Sequence, residues 1–158
     1  MATKRKKGKK TKPETERYDF VVEDWEMDYH FELNSTLRDL IDGVFWENSK
    51  CTLIGKLVSP VVKNANKARV EIVDKPEFDD HWADTPTVKT AKGIGVIDLP
   101  RGDDTLIFYC LVPSRSFQYI SSAASSGKIK LASIFGTKLK WRTGDIYSIS
   151  LSTNREEE

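Results

Sequence analysis

The sequence is poor in the residue types that form reactive sites, because its 158 residues include only two cysteines and two histidines. The cysteines belong to no CxxC pair and to no cysteine and histidine spacing that is typical of zinc sites. There is also no glycine-rich phosphate loop, nucleophile elbow or zinc-protease signature. The sequence therefore assigns no catalytic residue and favours a protein that is not an enzyme.

Long apolar runs are also missing. No run approaches the roughly 20 residues that a membrane-spanning helix needs, and no apolar segment of a secretory signal follows the lysine-rich amino terminus. Both cysteines, Cys51 and Cys110, lie in apolar segments that resemble strands, so we expect them to be reduced and buried. Together these features predict a cytoplasmic protein with no membrane partner.

Charge is balanced overall but is distributed unevenly along the chain. The net charge is +1, yet residues 1–17 are rich in lysine and contain no apolar residue after Ala2. That composition predicts a disordered basic arm, and the net acidic tail of residues 155–158 should fray. A single β-rich domain is predicted over residues 18–154.

Alternation of apolar and polar residues with a period of two is the dominant structural signal, and it is typical of strands with one buried face. It is clearest in residues 24–33, where apolar and mostly acidic side chains alternate. This segment is predicted to be a strand with an acidic outer face. Its buried face would carry Trp25, Met27, Tyr29, Phe31 and Leu33.

A basic segment, residues 128–152, predicts an antiparallel meander. Its odd positions are mostly apolar up to Trp141, while many of its even positions carry cations. Gly136 indicates a turn midway, and a three-residue loop at residues 135–137 would keep the apolar side chains on one buried face. The residues predicted to be buried there are Leu131, Leu139, Trp141, Tyr147, Ile149 and Leu151.

Two helices accompany the strands. Residues 114–126 place Phe117, Ile120 and Ala124 on one helical face, and a shorter helix is predicted near residues 35–43. Such a pattern predicts a mainly β fold, either an antiparallel β-sandwich or a partly open barrel, with about eight strands and one or two short helices.

The cations of the meander form the best candidate binding surface. Clustered cations attract phosphate groups, and the basic arm would add to them, so the sequence predicts a binding module for nucleic acid or another polyanion. An acidic protein is a second partner that fits these charges. A further alternative is a protein-interaction domain, or a homo-oligomer, in which the acidic face of one chain binds the basic face of another. The candidate polyanion-binding residues are Lys128, Lys130, Lys138, Lys140 and Arg142.

Histidines beside carboxylates suggest another alternative, a metal-binding protein or enzyme. His30 lies among the acids of residues 24–32, and Asp79, His81 and Asp84 lie in a long segment without periodicity. Neither spacing matches a known ligand motif. We therefore expect no metal site and no cofactor.

Overall fold

A computed structural model describes residues 11–33, 45–76, 78 and 93–153 of the chain. These residues form seven strands and one helix, in the order β1 (Thr15–Leu33), β2 (Phe45–Ser59), β3 (Lys67–Asp74), β4 (Gly95–Asp98), β5 (Thr105–Val112), α1 (Ser114–Ser125), β6 (Leu131–Thr137) and β7 (Thr143–Ser152).

The strands form a closed barrel in the order β1-β2-β3-β5-β4-β7-β6, and β6 pairs with β1. Neighbouring strands are antiparallel except β3 and β5, which are parallel. The predicted mainly β class is confirmed. The sandwich, the partly open barrel, the purely antiparallel pairing and the count of eight strands were wrong, because alternation shows which side of a strand is buried but does not show which strands pair.

The folded part begins earlier than predicted. Thr15 already pairs with Thr137 of β6, so residues 15–17 belong to the barrel and not to the arm. Residues 1–10 and 154–158 lie outside the described residues, so the disorder of the arm and the fraying of the tail stay predictions.

Aromatic side chains from β1 and β5 pack at the centre of the barrel. The Tyr18 ring meets Phe108 edge-on with centroids 5.3 Å apart, and Phe20 stacks on the same ring at 6.2 Å. Edge-on and offset stacked pairs are the favoured aromatic geometries. Aliphatic side chains from every strand, among them Leu53, Ile72, Ile97, Ile134 and Ile146, complete the core.

A β-bulge in β1 changes which positions face the interior. Even positions such as Phe20 are buried before the bulge. The register shift between Val22 and Asp24 leaves Glu23 as an extra residue, which reverses the alternation. From Trp25 onwards, the odd positions continue the face that points inward.

Beyond the bulge, the hairpin of β1 and β2 extends past the barrel wall. β6 pairs with β1 only over residues 15–21, and β3 pairs with β2 only over residues 50–56. The strand predicted over residues 24–33 is confirmed, but its predicted burial was wrong. Its apolar side chains are exposed because β6 does not extend alongside them; these are Trp25, Met27, Tyr29 and Phe31.

β6 pairs with β7 in antiparallel fashion, and this overturns both the predicted three-residue loop at residues 135–137 and the predicted faces of β6. Ala132 and Ile134 are buried, whereas Phe135 is exposed. Gly136 lies within the strand and not in a turn. A Cβ atom there would stand 2.2 Å from the Asp145 carbonyl oxygen, so the close approach of β7 requires glycine.

The turn between these strands is centred on Trp141 and Arg142. Both residues have positive φ angles, 54° and 67°. Lys140 and Thr143 flank them and exchange two backbone hydrogen bonds of 2.8 and 3.2 Å. Positive φ at both central residues is the geometry of a two-residue hairpin turn of the primed type. Trp141 is therefore 89% exposed at the tip of the hairpin, and its predicted burial was wrong.

Burial in β7 follows the prediction in part. Ile149 and Leu151 pack against the core, as expected. A register shift beside Phe135 makes Ile146 the fully buried residue and leaves Tyr147 exposed.

The helix predicted after Pro113 is confirmed as α1, with Phe117 and Ala124 buried against the barrel. Gly127, at φ 68°, follows the helix and donates a backbone hydrogen bond of 2.9 Å to the Ala124 carbonyl, a common way for a helix to end. The described part of the chain contains no helix with the length and apolarity to span a membrane. The shorter helix predicted near residues 35–43 lies outside the described residues.

Candidate functional site

The five cations predicted to share one basic face lie near opposite ends of β6. Lys128 and Lys130 precede the strand, while Lys138, Lys140 and Arg142 follow it. The strand between them spans roughly 20 Å, and its even positions face the core. The single basic face was therefore wrong, and the structure brings together only the last three cations.

Arg142 holds the turn in place. Its guanidinium donates hydrogen bonds of 2.6 Å to the Leu99 carbonyl and 2.8 Å to the Pro100 carbonyl. The Leu99 backbone N–H in turn donates to the Arg142 carbonyl at 2.9 Å. These contacts join the β6–β7 turn to the β4–β5 connection, so this guanidinium positions the hairpin tip.

The two lysines of the hairpin differ in their partners. Lys138 forms an ion pair of 2.9 Å with Glu14, and the hydrogen bond and charge of Glu14 raise the pKa of the lysine above its ordinary value. Lys140 is exposed and forms no ion pair within the described residues. Lys140 is therefore the lysine of this hairpin most open to an anion.

Three exposed aromatic rings lie on the same hairpin, and the sequence analysis missed them. Phe135 and Tyr147 are 43% and 38% exposed on the outer wall, with ring centroids 6.2 Å apart. Trp141 stands at the tip. The sequence does contain a signal that Phe135 lies outside. Ala132 and Ile134 make the even positions of β6 small or apolar, so these positions can face the core as well as the odd ones can.

A groove of about 710 Å³ lies on the outer wall and is lined by Arg17 and Ser133, among others. Arg17 lies directly across from Phe135 in the pairing of β1 with β6. Its guanidinium contacts Asp19 at 2.9 Å and donates to the Ser133 hydroxyl at 3.2 Å, and Ser133 donates to Asp19. Rings, cations and groove form what we call the hairpin surface, which consists of Arg17, Ser133, Phe135, Lys138, Lys140, Trp141 and Tyr147.

The acidic face of β1 has other cations as partners. Arg69 lies 3.9 Å from Glu26, and Lys50 lies 4.0 Å from Asp28. Both cations also contact Glu71, at 3.3 and 3.6 Å. Within the described residues, the acids of β1 beyond the bulge are thus partly neutralised by β2 and β3 and not by the basic residues around β6.

No three His, Cys, Asp or Glu side chains among the described residues lie close enough together to hold a metal ion. His30 is exposed on the protruding hairpin. Asp79, His81 and Asp84 lie outside the described residues, so the expectation that they bind no metal stays a prediction.

Neither cysteine is suited to nucleophilic chemistry. Both are buried and free, and burial raises the pKa of Cys51 to about 11 and that of Cys110 to about 12. They flank Ile72 on adjacent strands. Two strand spacings, roughly 10 Å, separate their backbones, which is too far for a disulfide.

Comparison of the chain with protein-family models, with curated proteins and with solved structures finds no match in any of the three. The described residues define a closed mixed β-barrel with one packed helix and an exposed aromatic and basic hairpin.

Proposed function

We propose that the protein is a non-enzymatic binding module for single-stranded nucleic acid and that it binds through the hairpin surface. The observation that carries this proposal is the exposure of three aromatic rings, Phe135, Trp141 and Tyr147, on a hairpin that also carries the exposed lysines Lys138 and Lys140. Bases stack on aromatic side chains, with about 1–3 kcal/mol gained per base, while cations track the phosphates.

The arrangement of the surface suits a flexible strand better than a duplex. Phe135 and Tyr147 lie on the barrel wall, and Trp141 projects from the tip about 15–20 Å further along the hairpin. Unpaired bases can turn towards such rings, whereas stacked bases inside a duplex cannot. Because every base has an aromatic face, we expect binding with little sequence preference.

The charge of the surface supports modest affinity. Lys138 and Arg17 each have a carboxylate neighbour, Glu14 and Asp19, so a phosphate must compete with these acids. Lys140 has no such competitor within the described residues. The lysines of residues 1–17 would add attraction that does not depend on sequence.

The charge part of the proposal is tested by titrating a fluorescent oligothymidylate with variants of the two lysine groups. Lys140→Glu should weaken binding at low salt at least tenfold. Lys128→Glu makes the same charge change beyond the opposite end of β6 and should have little effect. Equal losses for both variants would indicate attraction by net charge alone and would contradict a defined surface.

An acidic protein is the second candidate partner. Lys138 donates to the Glu14 carboxylate at 2.9 Å, which supports pairing of this lysine with a carboxylate of a partner. Polyglutamate that competes with the oligonucleotide as well as unlabelled oligothymidylate does would favour this alternative.

We also propose a cytoplasmic location, which the two free, buried cysteines support.

A further inference from the structure

We infer that β1 beyond its bulge is a docking edge for an extended segment of another protein, in which lysine or arginine alternates with apolar residues. The segment would add as a strand beside residues 26–29. This edge lies on the protruding β1–β2 hairpin, so the inference does not depend on the hairpin surface formed by β6 and β7.

The first observation is an open strand edge. β1 pairs with β2 on one side up to Leu33, but on the other side its pairing with β6 ends at Val21. The neighbourhood of Trp25 also contains Ala124 and Gly127 at the end of α1. Further along, no described strand pairs with this side. An open edge presents backbone N–H and C=O groups that an added strand can bind.

The second observation is an exposed apolar row on one face of that edge. Met27 is exposed and Tyr29 is 67% exposed. The β2 partners of Trp25 and Met27 are Leu53 and Cys51, which are fully buried, and Tyr29 continues the same face of β1. An added strand that carries apolar residues on this face would extend the core over Met27 and Tyr29.

The third observation is an excess of acid on the other face. Glu26, Asp28 and Glu71 share two cations, Lys50 and Arg69, at distances of 3.3 to 4.0 Å. The side chains of Glu26 and Asp28 remain 54% and 64% exposed. A cation on an added strand would lie next to these acids and complete their neutralisation.

The same charges argue against a second copy of this chain as the occupant. Two β1 edges brought together would set acids against acids on one face, and like charges opposite each other destabilise a strand pair. Charge complementarity instead favours a partner whose outer positions are cationic. Its inner positions must be apolar to cover Met27 and Tyr29.

The test uses the full chain and an eight-residue peptide in which lysine alternates with valine. Two analogues carry N-methyl groups, one on the lysine amides and one on the valine amides. Successive amides of a strand point to opposite edges, so strand addition predicts that one analogue binds at least tenfold more weakly than the other. Equal binding of both analogues overturns the inference, and so does no binding of the parent peptide at low salt.

Variants of the protein locate the site. Glu26→Gln with Asp28→Asn should weaken peptide binding at least tenfold. Asp98→Asn with Asp145→Asn removes the same charge near the far end of the barrel and should leave binding unchanged. An unchanged peptide affinity in the first variant overturns the inference. The inference is also overturned if the chain sediments as a dimer and Tyr29→Ser converts that dimer to a monomer. Oligonucleotide affinity should not respond to Glu26→Gln with Asp28→Asn, so failure here is distinguishable from failure of the proposed function.

Discussion

The Tyr18 hydroxyl donates a hydrogen bond of 2.9 Å to the backbone carbonyl of Thr137. This contact joins the start of β1 to the last residue of β6 inside the barrel. Burial raises the pKa of Tyr18 to about 12, with a smaller contribution from the charge of Glu16. The neutral phenol is therefore part of the seam that closes the barrel.

Stability should fall at alkaline pH because the folded state favours the protonated form of Tyr18. Its ordinary pKa is 10.0 and its folded value is about 12, so the stabilisation is fully present below pH 10 and is lost as the pH rises towards 12. The raised pKa values of Cys51 and Cys110 act in the same direction from pH 9. Urea unfolding at a series of pH values measures this slope.

Tyr18→Phe is the matched variant for that measurement. It removes the hydroxyl and its hydrogen bond, which should cost about 1 kcal/mol at pH 7. Above pH 10 its free energy of unfolding should decline less steeply than that of the parent chain. If the free energy of unfolding falls equally steeply with pH in the two proteins, Tyr18 does not control the loss of stability at alkaline pH.

Substitutions along β6 and the following turn should follow the observed burial and not the predicted parity. Ile134→Ala removes a fully buried side chain and should cost about 2–5 kcal/mol. Leu139 is only partly buried against the core, so Leu139→Ala should cost less, about 1–2 kcal/mol. Lys140→Ala should be nearly neutral. Denaturant unfolding of the three variants gives the order, and a larger loss for Leu139→Ala than for Ile134→Ala would contradict the assignment.

Two glycines should respond differently to alanine. At Gly136, a Cβ atom would stand 2.2 Å from a backbone oxygen of β7, so Gly136→Ala must move a strand and should cost about 3 kcal/mol. At Gly102, with φ +77°, nothing lies within 4 Å of the added atom, so only backbone strain of about 1 kcal/mol is expected. Comparison of the two melting temperatures checks the close approach of β6 and β7.

The strands and the helix were largely predictable, because alternation and helical periodicity are local signals. Residues 24–33 and α1 were placed correctly. The closure of the barrel was not predictable, since the pairing of Thr15 with Thr137 joins residues far apart in the chain. The exposure of Tyr29 was also missed, because alternation marks an apolar face but does not show where the neighbouring strands that bury it end.

The candidate site was predictable only in its charges. Lys138, Lys140 and Arg142 were named from the sequence, but their separation from Lys128 and Lys130 depends on where the chain turns, which is at Trp141 and not at Gly136. The presence of both Leu131 and Ala132 in β6 leaves its parity ambiguous. Trp141 was assigned to the core because the turn was placed at Gly136, whereas a close strand contact accounts for that glycine.

The salt dependence of oligonucleotide binding should separate the basic arm from the hairpin surface. For single strands, log K falls with log salt concentration by about 0.7 for each neutralised phosphate. Three cations, Arg17, Lys138 and Lys140, therefore predict a slope of about −2 for a chain that lacks residues 1–10. The full chain should show a steeper slope. Loss of all binding on truncation would assign the interaction to the arm alone.

Stacking on the exposed ring at the hairpin tip is the most direct test of the proposed function. Titration of a fluorescent oligothymidylate with Trp141→Ala should show affinity reduced about fivefold or more, because one base loses about 1–3 kcal/mol of stacking. Tyr119→Ala removes a ring that is 78% exposed on α1 and should bind like the parent chain. Equal affinities for Trp141→Ala and the parent chain would contradict the account.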